Sequence, residues 1–216
     1  MISHKHKIIF VPIPKNASRS VAFLINGNNS VYGHSTAECL MRKNKECWDD
    51  YYKFCVVRNP YDRIVSAYHH FKTDIVKRGK ARGSKPRRMQ NLLKQYSSFQ
   101  DFVLNYLKDA ELVQFRFMSG ADISISPTVH FYPQIMWLLN SNGKINDDID
   151  IFKFEKLDEV VQKLTTEYGM PNELPHRNES KRNHYSEYYT DELYEIIYEK
   201  YQEDFELLGY DKNDKS

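Results

Sequence analysis

Two short segments combine a cationic side chain with small hydrogen-bonding residues, a combination suited to anionic groups. The first is PKNASRS, residues 14–20, which lies between the apolar runs KIIFVPI and VAFLI. If the chain turns there from a strand into a helix, the first backbone N–H groups of the helix converge unpaired on one point and attract an anion. The residues predicted to form this anion site are Lys15, Asn16, Ala17, Ser18, Arg19 and Ser20.

The anion at this first segment is predicted to be a phosphate or sulfate group held without a metal ion. Lys15 adds a full positive charge, and the hydroxyl groups of Ser18 and Ser20 can donate hydrogen bonds. The segment lacks G-x-x-x-x-G-K-[ST], the loop that holds Mg²⁺ together with a nucleoside triphosphate. A capped helix with an exposed lysine is the alternative interpretation, and Arg19 could contact a ligand or face solvent.

The second segment, RNPYDRIVSAY, begins at Arg58 and could hold a second phosphate. Arg58 follows the apolar run KFCVV, and Ser66 lies eight positions further on, in a predicted helix. The planar guanidinium group of an arginine and a nearby hydroxyl can together hold a phosphate. The alternative is that Arg58 forms a structural ion pair with Asp62.

The elements around these segments alternate between strands and helices. Apolar, β-branched runs predict strands over residues 7–13, 53–58 and 149–155. Helices are predicted over 18–26, from Asn59 and Pro60 onward, over 99–118, within 130–140, up to Tyr168, and over 190–208. The alternation predicts one α/β domain, residues 1–216, with a central, mainly parallel sheet flanked by helices. Ligands of such sheets bind beyond the carboxyl ends of the strands, where both segments lie.

The overall composition limits the classes of partner. The chain has 216 residues and a formal net charge of +2, so it offers no general electrostatic attraction for nucleic acid. No apolar run approaches the ~20 residues that span a bilayer, and the N-terminus lacks a signal-peptide core. Cys39, Cys47 and Cys55 show no C-x-x-C spacing, so they are predicted to be reduced thiols in a cytoplasmic protein, with a Cys39–Cys47 bridge as the alternative.

Residues 77–91, KRGKARGSKPRRMQN, are basic, contain glycine and show no apolar periodicity. They are predicted to form a long flexible loop. This loop could steer an anionic acceptor toward the site, or it could be a solvated excursion.

Taken together, these motifs resemble those of sulfotransferases that use PAPS (3′-phosphoadenosine 5′-phosphosulfate) as donor. PKNASRS resembles their loop for the 5′-phosphosulfate, and RNPYDRIVSAY resembles their motif for the 3′-phosphate. The segments GHSTA, FYPQIMWLL, IFKFEKLDE and LPHRNESKRNHYSEYY resemble further parts of the carbohydrate sulfotransferase group, which includes the uronyl 2-O-sulfotransferases and small bacterial relatives. The matches run in order across most of the chain. The resemblance implies a P-loop-like, three-layer α/β fold.

The resemblance also implies which residues hold PAPS and its desulfated product PAP. Arg58 and Ser66 would hold the 3′-phosphate, with no metal ion required. Ser180 and Arg182, in the N-x-S-x-R region that starts at Asn178, would close over the 3′-phosphate or the adenine. A solvated loop charge is the alternative for Arg182.

His34, in GHSTA, would be the catalytic base according to the same resemblance. An acceptor hydroxyl must lose its proton to attack sulfur, and histidine exchanges protons near neutral pH. Lys15 would be catalytic too, because it can neutralise the charge that develops on the leaving phosphate oxygen. A structural histidine is the alternative for His34.

The acceptor is predicted to be a hydroxyl-bearing molecule, in particular a glycan. The residues predicted to bind it are Gln134, Trp137, Glu155 and His130. Glu155 could instead orient His34 or cap the following helix, and Trp137 could simply belong to the core.

Two other functions are compatible with parts of the pattern. One is a kinase or other phosphotransferase that uses a magnesium nucleotide, which the absent Mg²⁺-binding loop disfavours. The other is a non-catalytic module that binds polyanions through the basic loop, for which two spaced phosphate motifs and His34 would be unnecessary.

Overall fold

Within the described residues the sheet has four strands, and it is mainly parallel, as the sequence predicts. Its strands, in the order β1-β2-β3-β4, are Ile2–Ser3 (β1), Ile8–Val11 (β2), Tyr52–Val57 (β3) and Asp150–Lys153 (β4). β1 is antiparallel to β2, whereas β2, β3 and β4 are parallel. The three predicted strands are confirmed to within two residues at each end. The two-residue β1 is too short to give an apolar pattern.

The structure, a computed structural model, describes residues 1–27, 33–74, 84–111, 128–174 and 182–215. The chain divides into two compact units that alternate along the sequence. The first comprises Met1–Arg58, Phe115–Ser124 and Gln134–Glu179, and the second comprises Asn59–Gln114, Ile125–Pro133 and Ser180–Ser216. All four strands lie in the first unit, whereas a single domain over 1–216 stays a prediction.

The α-helices of the described residues follow the predicted alternation with strands. In chain order they are α1 Ser18–Asn26, α2 Ala37–Lys43, α3 Lys45–Trp48, α4 Pro60–His69, α5 Ser84–Leu93, α6 Phe99–Phe102, α7 Leu157–Tyr168, α8 Asp191–Lys200 and α9 Gln202–Leu208. None of these described helices has both the length and the apolar character needed to cross a bilayer.

The ends of several helices obey local capping chemistry. Asn59 caps α4 by accepting a hydrogen bond from Tyr61 N at 2.9 Å, and Pro60 occupies the first helical position as predicted. Gly27 and Gly169 end α1 and α7 with φ of 68° and 64°, a conformation that favours glycine. The predicted start of α4 and the predicted ends of α1 at residue 26 and of α7 at Tyr168 are therefore confirmed.

One face of the sheet packs against α1 and α7. Phe10 of β2 and Phe54 of β3 have ring centroids 5.0 Å apart. They share one apolar cluster with Leu24 of α1 and Leu164 of α7, and all four side chains are buried. Full burial of each such side chain contributes about 1.5–3 kcal/mol to stability. This packing fixes α1 against the sheet, and with it the segment that leads from β2 into α1.

The prediction of a loop over residues 77–91 is wrong from residue 84 onward, where α5 begins. Met89 and Leu93 are buried and four positions apart, so they share one face of this helix. Leu93 lies beyond residue 91, so this spacing is not visible within the basic stretch alone. Residues 77–83 lie outside the described part of the chain, and steering of an acceptor stays a prediction.

A single α-helix within residues 130–140 is also a wrong prediction. The structure has two short 3₁₀ helices there, Val129–Phe131 and Gln134–Trp137. Pro133 separates them because proline has no N–H group to donate and its ring excludes a regular helix through that point.

The helix predicted over 99–118 is confirmed only in its first half. α6 continues as the π-helix Val103–Leu107, and the predicted residues from 112 onward lie outside the described residues.

All three cysteines are free and buried, which confirms the prediction of reduced thiols. Burial raises the pKa of the Cys55 thiol, because a thiolate would be poorly solvated there. Such a thiol stays protonated and has a structural role in the sheet.

Candidate active site

The carboxyl ends of β2, β3 and β4 lie along the same edge of the sheet. β2 leads into residues 12–20, β3 into Arg58, and β4 into the 3₁₀ helix Phe154–Lys156. In open α/β sheets this edge is where ligands bind. The first unit therefore places the first predicted anion segment and Arg58 at the same edge. The segment of residues 14–20 is called the anion loop below.

The backbone of the anion loop has the conformation of an anion-binding nest. Lys15 has φ of 73° and Ala17 has φ of 56°, both in the left-handed region. This conformation costs a residue with a side chain roughly 1–2 kcal/mol, and it turns successive N–H groups toward one side. Ala17 is the N-cap residue of α1, and its methyl group cannot accept a hydrogen bond from the first turn. N–H groups in this arrangement can receive an anionic group.

Buried hydrogen bonds hold the anion loop in this strained conformation. The Nδ2 atom of Asn16 donates to Val56 O at 2.8 Å and to Gln134 Oε1 at 2.7 Å. The Oγ atom of Ser18 donates to Ile13 O at 2.7 Å. The single hydroxyl proton of Ser18 is thus used inside the protein, which contradicts its predicted role as a hydroxyl donor to the anion.

The other side chains of the anion loop differ in their access to solvent. Lys15 and Ala17 are half-buried, Ser20 is buried and Arg19 is exposed. Lys15 therefore has a partly accessible position at the start of the nest. The exposure of Arg19 supports the solvent-facing alternative.

Arg58 contacts the anion loop directly. Its Nη1 atom donates to Lys15 O at 3.0 Å, and its guanidinium carbon lies 3.9 Å from the ring centroid of Phe154. The residue is 9% exposed, so the guanidinium group is positioned by protein contacts and is not a mobile surface charge. Such a stacked, hydrogen-bonded guanidinium is held in a fixed orientation, and a fixed, planar guanidinium suits a phosphate.

The remaining predicted cofactor residues belong to the second unit. Ser66 lies on α4 and is buried. Arg182 donates from Nη2 to Asp62 Oδ1, and its side chain is 9% exposed. The alternative of a solvated loop charge for Arg182 is therefore wrong. Ser180 lies outside the described residues.

His34 is half-buried and lies beside the start of the anion loop. Its Nδ1 atom is 2.9 Å from Pro12 O, and its own carbonyl oxygen accepts a hydrogen bond from Trp137 Nε1 at 3.0 Å. A carbonyl oxygen can only accept, so Nδ1 carries the proton of this hydrogen bond. In the neutral ring, Nε2 is then the nitrogen that can take up a proton, as a general base must.

The structure contradicts the prediction that Gln134 and Trp137 line an acceptor cleft. Both side chains are 0% exposed. The polar atoms of Gln134 contact Asn16 and the backbone of Arg58, and the indole N–H of Trp137 contacts the backbone of His34. The alternative in which Trp137 belongs to the core is confirmed.

His130 and Glu155, the other predicted acceptor residues, have different surroundings. His130 is half-buried in the second unit, where its ring lies edge-on to Phe71 and stacks on His70. Glu155 is exposed in the first unit, in the 3₁₀ helix that follows β4. The N-cap position of α7 is Lys156, so the idea that Glu155 caps this helix is wrong. Acceptor binding by His130 and Glu155 stays a prediction.

Two contacts of the site are absent from the sequence prediction. Phe154 supports the guanidinium group of Arg58, and Pro12 O accepts a hydrogen bond from His34 Nδ1. An aromatic residue directly after a parallel strand is the available signal for Phe154. A backbone carbonyl has no side-chain signal, so the Pro12 contact requires the structure.

Within the described residues, no three His, Cys, Asp or Glu side chains are grouped as metal ligands would be.

Comparison with known proteins agrees with this geometry. No curated protein and no solved structure matches the chain. A family model described as the sulfotransferase family matches residues 1–211, nearly the whole chain, including the anion loop, Arg58 and His34. The fold of that family is P-loop-like, and its chemistry is sulfuryl transfer. The chain thus belongs to the sulfotransferase family and is a transferase of sulfuryl groups.

Proposed function

We propose that this sulfotransferase moves a sulfuryl group from PAPS to a hydroxyl group of a carbohydrate, with His34 as the general base. The observation that carries the proposal is the contact of 2.9 Å between His34 Nδ1 and Pro12 O. This contact holds the imidazole ring beside the anion loop and leaves Nε2 as the basic nitrogen. A base and an anion site side by side are what attack by a hydroxyl on a bound sulfuryl group requires.

The residues of the first unit would have separate roles in cofactor binding and in charge neutralisation. PAPS supplies the sulfuryl group, whose bond to the 5′-phosphate oxygen breaks as PAP forms. The N–H groups of the anion loop would hold the phosphosulfate, and Lys15 would oppose the charge on the leaving oxygen. Arg58 would hold the 3′-phosphate. Ser66, Ser180 and Arg182 belong to the second unit and stay proposals for cofactor binding that rest on the resemblance. His34 Nε2 would take the proton of the acceptor hydroxyl.

The carbohydrate acceptor is supported by the resemblance of the later segments, including FYPQIMWLL and IFKFEKLDE, to carbohydrate sulfotransferases. Glu155 is exposed at the edge of the sheet that carries the anion loop, so it is the residue of the first unit that we propose for a sugar hydroxyl. The proposal places the enzyme in the cytoplasm, a compartment in which the three free thiols would persist.

The test is transfer of labelled sulfate from PAPS in the presence of EDTA to a panel of acceptors. The panel contains a uronic-acid polysaccharide, a neutral oligosaccharide, a phenol and a steroid alcohol. We expect label on a carbohydrate hydroxyl. Label on the phenol or the steroid alone would contradict the carbohydrate acceptor. Phosphorylation by magnesium-ATP, without any sulfate transfer, would contradict the donor.

A further inference from the structure

Gln134 connects two segments that are far apart in the sequence. It is 0% exposed and begins the 3₁₀ helix Gln134–Trp137. Its Oε1 atom accepts hydrogen bonds from Asn16 Nδ2 at 2.7 Å and from Arg58 N at 2.9 Å, and its Nε2 atom donates to Arg58 O at 2.8 Å. One side-chain amide thus binds both backbone groups of Arg58 and the side chain of Asn16.

These contacts and the anion loop form a closed ring of hydrogen bonds. The backbone of Arg58 is hydrogen-bonded to the side chain of Gln134, which accepts a hydrogen bond from Asn16 in the anion loop. The guanidinium group of Arg58 donates a hydrogen bond to Lys15 O of the same loop. Asn16 and Gln134 are both fully buried. Breaking one of these hydrogen bonds would leave a buried polar group without a partner, at a large cost in free energy. The ring of hydrogen bonds is therefore rigid.

We propose that Gln134 is a positioning residue that fixes Arg58 relative to the anion loop, so that both phosphate groups of one nucleotide are held at once. The inference rests on the proposed function, because it takes the nucleotide to be PAPS or PAP. Two anchors on a stiff frame bind one ligand far more tightly than either anchor alone, since the second contact is intramolecular. Anchors that move independently lose this advantage.

The advantage can be measured as the ratio of two dissociation constants, that of 5′-AMP over that of PAP. 5′-AMP lacks the 3′-phosphate, so it cannot use Arg58 and the anion loop together. In Gln134→Met, a side chain of similar length without the amide, the ratio is expected to fall by about tenfold or more. The affinity for 5′-AMP should change much less, because the anion loop is still held by Asn16 and Ser18.

A purely structural role for Gln134 would give a different result. Loss of folded protein lowers the bound fraction for both ligands equally and leaves the ratio unchanged. Gln90→Met is the matched control, because Gln90 is also a buried glutamine but lies on α5 in the second unit. Its ratio is expected to equal that of the wild type, and thermal melting of each variant measures the stability separately.

Asn16→Ala provides a second variant in case Gln134→Met does not fold. It removes both hydrogen bonds of Asn16 Nδ2, to Gln134 Oε1 and to Val56 O, while Gln134 keeps its two contacts with Arg58. The anion loop keeps the bond of Ser18, and the affinity for 5′-AMP reports any loss at the loop itself. The ratio should fall in this variant too.

The outcomes separate the inference from the proposed function. If the wild type does not bind PAP, the proposed donor is wrong and the inference is overturned with it. If the wild type binds PAP and the ratio stays at the wild-type value in a folded Gln134→Met or Asn16→Ala variant, the inference alone is overturned.

Discussion

At the scale of single residues, the proposed chemistry depends on the protonation of His34. Its Nδ1 atom donates a hydrogen bond to Pro12 O, and its carbonyl oxygen accepts one from Trp137 Nε1. The residue is therefore held at two points, one on its ring and one on its main chain, and in the neutral ring Nε2 is the nitrogen that can accept a proton. A general base with a fixed tautomer is worth more than a freely rotating histidine because less reorganisation is needed in the transition state.

Replacement of His34 tests this role. We expect His34→Ala to lower kcat by about 10²–10⁴-fold, because the acceptor hydroxyl loses its base. The acid side of the pH–rate profile should flatten at the same time, since the titrating base is absent. Steady-state sulfate transfer measured across pH checks both effects. His4→Ala is the control, because His4 is an exposed histidine whose ring contacts Tyr51; wild-type turnover in His34→Ala would refute the assignment.

A second prediction at this scale concerns the strain at Ala17. Glycine adopts a φ of 56° without penalty, so Ala17→Gly should raise the free energy of unfolding by about 1 kcal/mol. Ala17→Val should lower it by at least about 1 kcal/mol, because a β-branched side chain fits this conformation worst. Chemical denaturation measures both changes. Ala67→Gly, in the regular helix α4, is the control and should be destabilising; destabilisation by Ala17→Gly would show that no strain is present.

At the scale of elements, the 3₁₀ helix Gln134–Trp137 contacts three parts of the site within one turn. Its first residue binds Asn16 and Arg58, and its last residue binds the main chain of His34. Pro133 starts this helix at a defined point because it interrupts the preceding one. The short helix is therefore the element that relates the predicted base to the predicted cofactor anchors.

Loss of the indole hydrogen bond should separate catalysis from cofactor binding. In Trp137→Phe, His34 O loses its donor while Gln134 still holds Arg58 and Asn16. We expect kcat to fall by about tenfold, because a small displacement of a base is costly, with the dissociation constant of PAP unchanged. Kinetics and PAP titration of the same sample measure the two quantities.

The other tryptophan of the chain, Trp48, provides the matched control for this prediction. Trp48 Nε1 donates to Asp148 Oδ2 at 3.1 Å, so Trp48→Phe removes the same kind of bond elsewhere in the first unit. Its kcat should equal that of the wild type. Equal kinetic losses in both variants would mean that Trp137 acts only through stability.

At the scale of the whole molecule, local patterns in the sequence predict the sheet and the anion loop. The runs that form β2 and β3 are apolar because parallel strands are buried on both faces, and this signal is strong over a few residues. The turn into α1 is visible from Lys15 and the serines that follow. Such features depend on neighbours in the sequence, so they can be read without the structure.

The buried hydrogen bonds that hold the site residues in place could not be predicted in this way. Gln134 is 118 residues from Asn16 and 76 from Arg58, and no local pattern reports such contacts. A glutamine beside a tryptophan is as compatible with a sugar-binding cleft as with a buried contact. The acceptor-cleft prediction is therefore wrong for Gln134, whereas the alternative for Trp137, the core, is confirmed. Helix α5 was missed for a related reason, since the buried spacing of Met89 and Leu93 extends past the basic stretch.

Calorimetric titration with PAP in EDTA is the decisive test of the donor site. We expect metal-free binding by the wild type and an affinity lowered by about a hundredfold in Arg58→Ala, because this change removes a buried cation from the phosphate. Lys163→Ala, which loses one positive charge near Asp150 at the start of β4, should bind as the wild type does. Absence of PAP binding by the wild type, or equal binding by wild type and Arg58→Ala, would contradict the assignment of this edge of the sheet as the site for the sulfuryl donor.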